Sequence, residues 1–248
     1  FEGRESFKIE VQRYRERIKK RDFEQIVLSR SFYLPCKNPM ASYRELKKEH
    51  PSPYLFYLED ESFTLFGASP ESALKYTPER NELELYPIAG TMPRGREGGK
   101  IDIKIDRLLE QKLRTDKKEV AEHLMLVELA KKDLTSISIP NSVKVKELMK
   151  VDRYNFVMHL VSRVVGQVRT DLTPLDAYLN VMNMGTLTGS PKIAAMREIY
   201  RVETQSRGSY GGAIGYFEGV FGSQDRLDSA IVIRSAFVKK GVARVQAG

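Results

Sequence analysis

The chain has 248 residues, of which 41% are hydrophobic and 30% charged, a composition typical of folded proteins in water and unlike that of disordered ones. Its longest apolar stretches, such as 230–233, are too short to span a bilayer, and no secretion signal opens the sequence. One cysteine, Cys36, excludes an internal disulfide and fits a reducing cytosol, so we expect a cytoplasmic protein. With three histidines and one cysteine, the chain offers little for zinc, and any divalent metal should be a hard ion held by carboxylates.

The net charge of +8 raises the question of nucleic-acid binding. The basic residues are interspersed with acidic ones, as in 144–153, and no aromatic-interleaved basic stripe is present. A solvated surface explains the charge better than a phosphate-binding face. We therefore expect neither nucleic acid nor a membrane as a partner.

The first half of the chain predicts mostly strands in antiparallel pairs. A charged helix covers 7–21, a strand 25–33 and a short helix 40–49, which ends before Pro51 and Pro53. Two β-rich runs, 54–58 and 62–67, flank an acidic turn and predict a hairpin. A second pair is expected at 73–76 and 82–88.

The second half alternates less regularly between helices and strands. A largely helical region covers 103–134, with Asp116 as N-cap of its second part, and further helices are expected at 174–184 and 191–202. Strand-like or apolar runs cover 143–151, 157–168, 212–218, 227–238 and 242–246. Without strict βαβ alternation, this pattern predicts an α+β protein built on antiparallel sheet.

Glu119 and Glu122 are the first candidate functional pair. Spaced three residues apart on a helix, their carboxylates lie on one face and could bind a cation together. Two glutamates at this spacing are usually a solvated face, but this face continues through the apolar Leu126 and Ala130. The spacing leaves both interpretations open.

His159 lies within an otherwise apolar run, where a lone histidine is more often a buried core residue than a catalyst. If the run is helical, Arg163 shares the face of His159 and lowers its pKa when both are buried.

Two further positions in the last third of the chain suggest a ligand. Tyr210 precedes two glycines that allow a close backbone approach, although a plain turn is the simpler explanation. Arg234 interrupts an apolar run and needs an anionic partner there, either a ligand carboxylate or a structural ion pair.

Seven segments in order resemble the chorismate-utilising enzyme family. They are G-A-S-P-E at 67–71, P-I-A-G-T at 87–91, K-E-V-A-E-H-L-M-L at 118–126, V-D-R-Y-N-F-V-M-H-L-V-S-R-V at 151–164, M-G-T-L-T-G-S-P-K at 184–192, R-G-S-Y-G-G-A-I-G-Y at 207–216 and D-S-A-I-V-I-R at 228–234. The resemblance extends from about residue 23 to residue 248. It implies the fold of that family, an αβ sandwich of antiparallel sheets with flanking helices and an active site in a cleft.

The resemblance also implies roles for individual residues. Glu122, with Glu119 beside it, would bind Mg²⁺, and His159 and Thr186 would lie near the reacting ring. Glu71 corresponds to the candidate general acid for the leaving 4-hydroxyl, a role for which His159 is the alternative. The residues implied to line the chorismate site are Gly90, Thr91, Tyr210, Arg234 and Gly248.

Two positions narrow the expected reaction within the family. Isochorismate- and salicylate-forming members carry a water-activating lysine where this chain has Gln25, and members that aminate C4 carry a lysine nucleophile where it has Ala89. We therefore expect Mg²⁺-dependent addition of ammonia at C2 of chorismate, then loss of pyruvate, to give anthranilate for tryptophan biosynthesis. An aminodeoxychorismate synthase-like activity, or a catalytically inert chorismate-binding fragment, is the alternative.

The resemblance further implies a partner and a regulator. Because the chain lacks a glutaminase signature, a glutamine amidotransferase subunit would supply ammonia in a hetero-oligomer. Pro53, Tyr54 and Leu55 resemble half of a tryptophan-inhibitor site. We expect 1–248 to be a chorismate-binding catalytic core truncated at both ends, since a second acidic metal pair is expected just beyond Gly248.

Overall fold

The computed structural model describes residues 3–219 and 226–248. The helices are α1 (Arg4–Lys19), α2 (Pro39–Glu49), α3 (Ile103–Thr115), α4 (Lys117–Thr135), α5 (Pro174–Val181), α6 (Gly185–Thr188) and α7 (Lys192–Val202). The strands are β1 (Gln25–Ile26), β2 (Arg30–Pro35), β3 (Tyr54–Glu59), β4 (Thr64–Ser69), β5 (Ser72–Thr77), β6 (Glu82–Leu85), β7 (Ile88–Pro93), β8 (Arg96–Glu97), β9 (Lys100–Ile101), β10 (Lys144–Arg153), β11 (Val157–Gln167), β12 (Gly189–Ser190), β13 (Ala213–Glu218), β14 (Arg226–Ile231), β15 (Ser235–Lys239) and β16 (Val242–Ala247).

The chain divides into two compact units, each built from segments that are distant in sequence. Unit 1 comprises Phe1–Ala73, Met182–Tyr216 and Ser229–Gly248, and unit 2 comprises Leu74–Val181 and Phe217–Asp228. Both combine antiparallel strands with helices, which confirms the predicted α+β class.

Unit 1 contains a five-stranded antiparallel sheet in the order β2-β16-β15-β4-β3. One face of this sheet is apolar because alternate side chains of each strand point to it, and Tyr43 and Leu46 of α2 pack against that face. A second core joins α1 to α7, where Tyr14, Phe23 and Ile199 are buried together. Each such buried side chain contributes about 1.5–3 kcal/mol relative to its exposed state.

Within unit 2, strands pair in the order β10-β11-β6-β5, and β7 also pairs with β11. Helices α3 and α4 both lie against β7 and β11. Leu113 of α3 and Met158 and Leu160 of β11 are completely buried and lie in one cluster. This packing holds β7 in place, and β7 carries the P-I-A-G-T segment.

Most of the predicted elements are confirmed, and the exceptions are local. Asp116 caps α4, accepting hydrogen bonds from the backbone of Lys118 at 2.9 Å and of Glu119 at 3.1 Å. The single strand expected at 25–33 is instead β1 and β2, with 27–29 between them outside any strand. Likewise 227–238 is two strands, β14 and β15, because the backbone turns at Arg234.

In the described ranges 3–219 and 226–248, no helix is long and apolar enough to cross a membrane.

A buried ion pair fixes the chain that follows β7. Arg94 donates through Nε and Nη2 to the two carboxylate oxygens of Asp106, both at 2.8 Å, and through Nη1 to the Tyr154 carbonyl at 2.7 Å. Asp106 also accepts from the Gly95 backbone at 2.8 Å. Gly95 has no room for a side chain, since a Cβ there would lie 2.1 Å from the Asp106 nitrogen. The Arg94 guanidinium holds the pKa of the Asp106 carboxyl below its usual range.

We predict that Asp106→Asn lowers the free energy of unfolding by about 3 kcal/mol, because it leaves Arg94 buried without a counter-charge. Urea denaturation measures the effect. Asp171→Asn is the matched control, since the Asp171 carboxylate pairs with Arg169 at the surface, and it should leave the midpoint unchanged. Equal midpoints for both variants would show that the Arg94 pair does not stabilise the unit.

Candidate functional site

In unit 1, Arg207 forms hydrogen bonds to the segments that carry candidate residues. Arg207 donates to the Leu187 carbonyl of α6 and to the Val27 carbonyl after β1, both at 2.6 Å. Its guanidinium also forms a bidentate pair with Glu203, at 2.9 and 2.6 Å. A bidentate carboxylate fixes the plane of the guanidinium, so the two carbonyls are held at defined positions. These contacts place Gln25, Thr186 and Tyr210 in one unit around a common support.

Tyr210 and Gly248 lie together, as the sequence predicted. The Tyr210 side chain is buried, and a Cβ built at Gly248 would lie 3.2 Å from its hydroxyl oxygen. Burial raises the pKa of Tyr210, and a hydrogen bond from the Gly248 backbone opposes that effect. The phenol therefore keeps its proton at neutral pH and can donate it to an anionic ligand.

Arg234 lies at the break between β14 and β15, with a left-handed φ of 48°. The segment before it pairs with the glycines after Tyr210, since Gly211 donates to the Val232 carbonyl at 3.0 Å. Arg234 is exposed and forms no ion pair with any described residue. A structural ion pair, one of the two predicted alternatives, is therefore not what the described residues show.

Glu71 is an acid of unit 1 whose pKa is raised into the neutral range. Its carboxyl is buried, and desolvation raises its pKa to about 7, although Thr186 and the positive charge of Arg234 act to lower it. A carboxyl with this pKa carries its proton over much of the neutral range and can act as a general acid. The arrangement fits the role implied for Glu71 by the sequence.

Three buried polar atoms of unit 1 lack a well-formed hydrogen bond: the donor Arg30 Nε and two acceptors, Gln25 Oε1 and Thr186 Oγ1. The Thr186 hydroxyl is near enough to Glu71 to affect its pKa, but not in good hydrogen-bonding geometry. A buried acceptor without a donor costs about 1–3 kcal/mol, so a fold that keeps two of them favours a ligand that supplies the missing partners.

In unit 2, a β-bulge brings Thr91 and His159 together. His159 pairs with Thr91 across the strands and Leu160 pairs with Ala89, so Gly90 has no partner on β11. Gly90 has a φ of 82°, a conformation that favours glycine. His159 Nδ1 lies 3.0 Å from Thr91 Oγ1 and 3.3 Å from the Gly90 carbonyl. Because a carbonyl only accepts, these contacts favour a protonated Nδ1.

The expected relation between His159 and Arg163 is wrong. Residues 157–167 form a strand, β11, rather than a helix, so four residues span more than 10 Å along the chain. Arg163 instead donates to Glu84 at 2.7 Å and Glu82 at 3.3 Å. The apolar run is buried on both faces, which removes the periodicity that would have distinguished strand from helix.

Glu119 and Glu122 lie one turn apart near the start of α4, and both are half-buried. Glu119 contacts Lys118 at 3.7 Å, whereas Glu122 forms no hydrogen bond or ion pair with a described residue. No group of three or more acidic, histidine or cysteine side chains that could hold a metal occurs within 3–219 and 226–248. Mg²⁺ is commonly held by one or two carboxylates plus water and substrate oxygens, so the donor chemistry of this pair fits it.

His123, which the sequence analysis did not single out, is completely buried between these glutamates and the core. Its Nδ1 lies 3.3 Å from the Ala89 carbonyl and its Nε2 lies 2.6 Å from Ser162 Oγ. The helical spacing of His123 with Leu126, Val127 and Ala130 places it on the buried face, a signal that was available in the sequence.

The remaining predicted residues lie at the edge of the five-stranded sheet. Pro53 is exposed just before β3, and Tyr54 and Leu55 begin that strand half-buried. Their part in tryptophan binding stays a prediction.

The chain matches the family model described as chorismate binding enzyme over residues 2–248, and it belongs to that family. It is 58% identical to anthranilate synthase component 1 of Vibrio parahaemolyticus over 96% of this chain and 43% of the relative. It is also 58% identical to the Haemophilus influenzae protein of the same name, over 92% of this chain and 43% of that one. The crystal structure of anthranilate synthase component I from Streptococcus pneumoniae is similar, with a TM-score of 0.86 at 38% identity, over 98% of this chain and 52% of that chain. The chain thus spans less than half the length of these two curated relatives.

We predict that Glu71 makes stability fall as the pH rises through its folded pKa. Its pKa is about 7 in the fold against an ordinary 4.5, so the folded state binds the proton more tightly. The stabilisation is complete below about pH 4.5 and lost by about pH 8, a change of about 3 kcal/mol. Urea unfolding of Glu71→Gln should therefore show greater stability than the parent at pH 8 and little difference at pH 4.5.

Glu45→Gln, at an exposed position on α2, is the control and should follow the parent at both pH values. A Glu71→Gln variant that tracks the parent across the range would contradict the raised pKa.

Proposed function

We propose that the protein containing this chain converts chorismate and ammonia to anthranilate, pyruvate and water. The observation that carries the proposal is the 58% identity, over 96% of the chain, to a protein named anthranilate synthase component 1. The alternatives within the family differ in the nucleophile and in the carbon that it attacks. Residues 25 and 89 bear on that choice.

Gln25 and Ala89 both favour ammonia addition at C2. The side chain of Gln25 ends in an amide, which has no basic lone pair for activating water, and its oxygen is buried. The Ala89 methyl packs with Leu126 and Leu129 and offers no nucleophile for a covalent adduct at C4. Ammonia is nucleophilic without a base, so the expected reaction needs neither a water-activating lysine at position 25 nor a nucleophile at position 89.

Tyr210, Arg234 and Gly248 have the chemistry to bind a substrate carboxylate, and Glu71 has the chemistry to protonate a leaving oxygen. Chorismate carries two carboxylates, and the unpaired Arg234 supplies a cation for one of them, together with a donor from the Tyr210 hydroxyl that the Gly248 backbone holds. When the nitrogen forms its bond to C2, the ring double bonds shift and the C4–oxygen bond breaks. Glu71 gives its proton to that departing oxygen, which leaves as water, and Thr186 contacts the ring.

Thr91 and His159 have polar groups that can orient a ring, and Glu119 and Glu122 have carboxylates that can hold a metal. Thr91 and His159 form a hydrogen-bonded pair that presents its polar atoms from adjacent strands. Glu119 and Glu122 would hold Mg²⁺, which neutralises substrate carboxylate charge and orients it. The unpaired state of Glu122 among the described residues supports this assignment.

A glutamine amidotransferase partner would supply the ammonia. The one cysteine, Cys36, is buried against α2 and does not fit a glutaminase nucleophile. We therefore propose a hetero-oligomer with a separate amidotransferase subunit in the cytoplasm, with tryptophan acting at Pro53–Leu55.

We predict anthranilate as the product when the protein is incubated with chorismate, Mg²⁺ and an ammonium salt. Anthranilate fluorescence follows the reaction, and chromatography identifies any other product. Formation of 4-amino-4-deoxychorismate would contradict the interpretation of Ala89. Formation of isochorismate would contradict that of Gln25, and Mg²⁺-dependent chorismate binding without a product would favour an inert binding domain.

We predict that Glu122→Gln abolishes Mg²⁺-dependent anthranilate formation, because the variant loses a carboxylate ligand while keeping its shape. Mg²⁺ titration of the rate measures the effect. Glu128→Gln is the matched control, since Glu128 lies on the same helix but is exposed and pairs with Lys131. Its Mg²⁺ dependence should match the parent. Unchanged activity of Glu122→Gln would refute its role as a ligand.

A further inference from the structure

His123 connects three elements of unit 2 from a completely buried position. It lies on α4, one residue after Glu122, and reaches the Ala89 carbonyl on β7 and the Ser162 hydroxyl on β11. Ser162 Oγ also accepts from the Met149 backbone at 2.9 Å. A continuous line of hydrogen bonds therefore runs from β10 through β11 and α4 to β7.

The partners determine which atoms carry protons along this line. The Ala89 carbonyl only accepts, so His123 Nδ1 must donate. Ser162 Oγ already accepts from the Met149 backbone, so its hydroxyl proton is available for His123 Nε2. The arrangement that satisfies every partner has Nδ1 donating to the Ala89 carbonyl and Nε2 accepting from Ser162.

The carbonyl that His123 holds directly precedes the bulge. Gly90 has no cross-strand partner, so the ladder between β7 and β11 does not by itself fix the peptide that joins Ala89 to Gly90. The plane of that peptide, together with the backbone angles of Gly90, determines where the Gly90 carbonyl lies, 3.3 Å from His159 Nδ1, and where Thr91 follows. A hydrogen bond to the Ala89 oxygen is therefore well placed to fix both groups.

We propose that His123 is a positioning residue for chorismate binding: its Nδ1–H holds the Ala89 carbonyl and thereby orients Gly90 and Thr91 against His159. The inference rests on the proposed function only in naming the substrate. A nucleophilic Ser162–His123 dyad is not proposed, since Ser162 is 1% exposed and His123 is 0% exposed, which leaves no access for a substrate.

Two substitutions of His123 test the hydrogen bonds of Nδ1 and Nε2 separately. The amide nitrogen of asparagine can take the place of Nδ1, and the amide of glutamine can take the place of Nε2. His123→Asn keeps the bond to Ala89 and loses Ser162, whereas His123→Gln keeps Ser162 and loses Ala89. We expect Asn to leave the KM for chorismate within about twofold and Gln to raise it about tenfold, the effect of one lost hydrogen bond.

A purely structural role for His123 would make the KM change together with the melting temperature. The positioning role predicts that both melting temperatures fall similarly, because each variant loses one buried hydrogen bond, while the KM values diverge. Equal KM values for the two variants, or a KM that simply follows the melting temperature, would overturn the proposal. His50→Asn, at an exposed position after α2, is the control and should change neither quantity.

Two measurements remain informative if the protein makes no anthranilate. Calorimetric titration with chorismate should rank the affinities as parent, Asn, then Gln, independently of turnover. ¹⁵N NMR of the imidazole at pH 7.5 should show His123 as the Nδ1–H tautomer with Nε2 accepting a hydrogen bond. An Nε2–H tautomer without a proton on Nδ1 would refute the inference, whereas absence of anthranilate alone would refute only the proposed function.

Discussion

The bulge at Gly90 is the constraint on which the candidate residues of unit 2 depend. One additional residue in β7 relative to β11 lets the Thr91 hydroxyl and the Gly90 carbonyl both contact His159, which a regular ladder would not do. Its φ of 82° favours glycine at that position. The backbone freedom that makes the bulge possible must be removed elsewhere, and the His123 bond to Ala89 removes it from the side of α4.

In unit 1, Arg234 also has a positive φ at the place where a regular strand is interrupted. A regular strand from β14 into β15 would place alternate side chains on the two faces of the sheet, one of them packed against apolar neighbours. Instead β14 ends at Ile231, and the left-handed conformation of Arg234, directly before β15, leaves the guanidinium exposed and without an ion pair among the described residues. A non-glycine residue in this conformation costs on the order of 1 kcal/mol, which the pairing of Val232 with Gly211 and Gly212 offsets.

The sequence predicted the fold class and most elements because their signals are local. Asp116 as an N-cap and the hairpin around Glu59–Glu61 each depend on neighbouring residues. The breaks at 27–29 and at Arg234 were missed because they depend on partners far away in sequence, such as the carbonyl of Val27 held by Arg207. The assignment of His159 to a helical face failed for a related reason, since a strand buried on both faces shows no alternation.

For the candidate site, the sequence could identify which residue types are present. It could not show which side chains are protonated or which residues hold the backbone around them. Glu71 and His159 were both candidate acids and both are buried, and the sequence could not show that desolvation raises the pKa of Glu71 to about 7. His123 was overlooked because its role is to hold a backbone carbonyl, and a backbone carbonyl has no signature in the sequence. Its position on the apolar face of α4 was the one available signal.

Ala89 shows how packing and chemistry can constrain one position together. Its methyl lies in an apolar cluster with Leu126 and Leu129 of α4, and its carbonyl accepts from His123 on the same helix. A lysine there would have to place its ammonium among leucines or move its side chain away from α4, and either change would disturb the carbonyl that His123 holds. The small residue that removes a nucleophile is therefore also the one that lets α4 approach β7 closely enough for the imidazole to reach it.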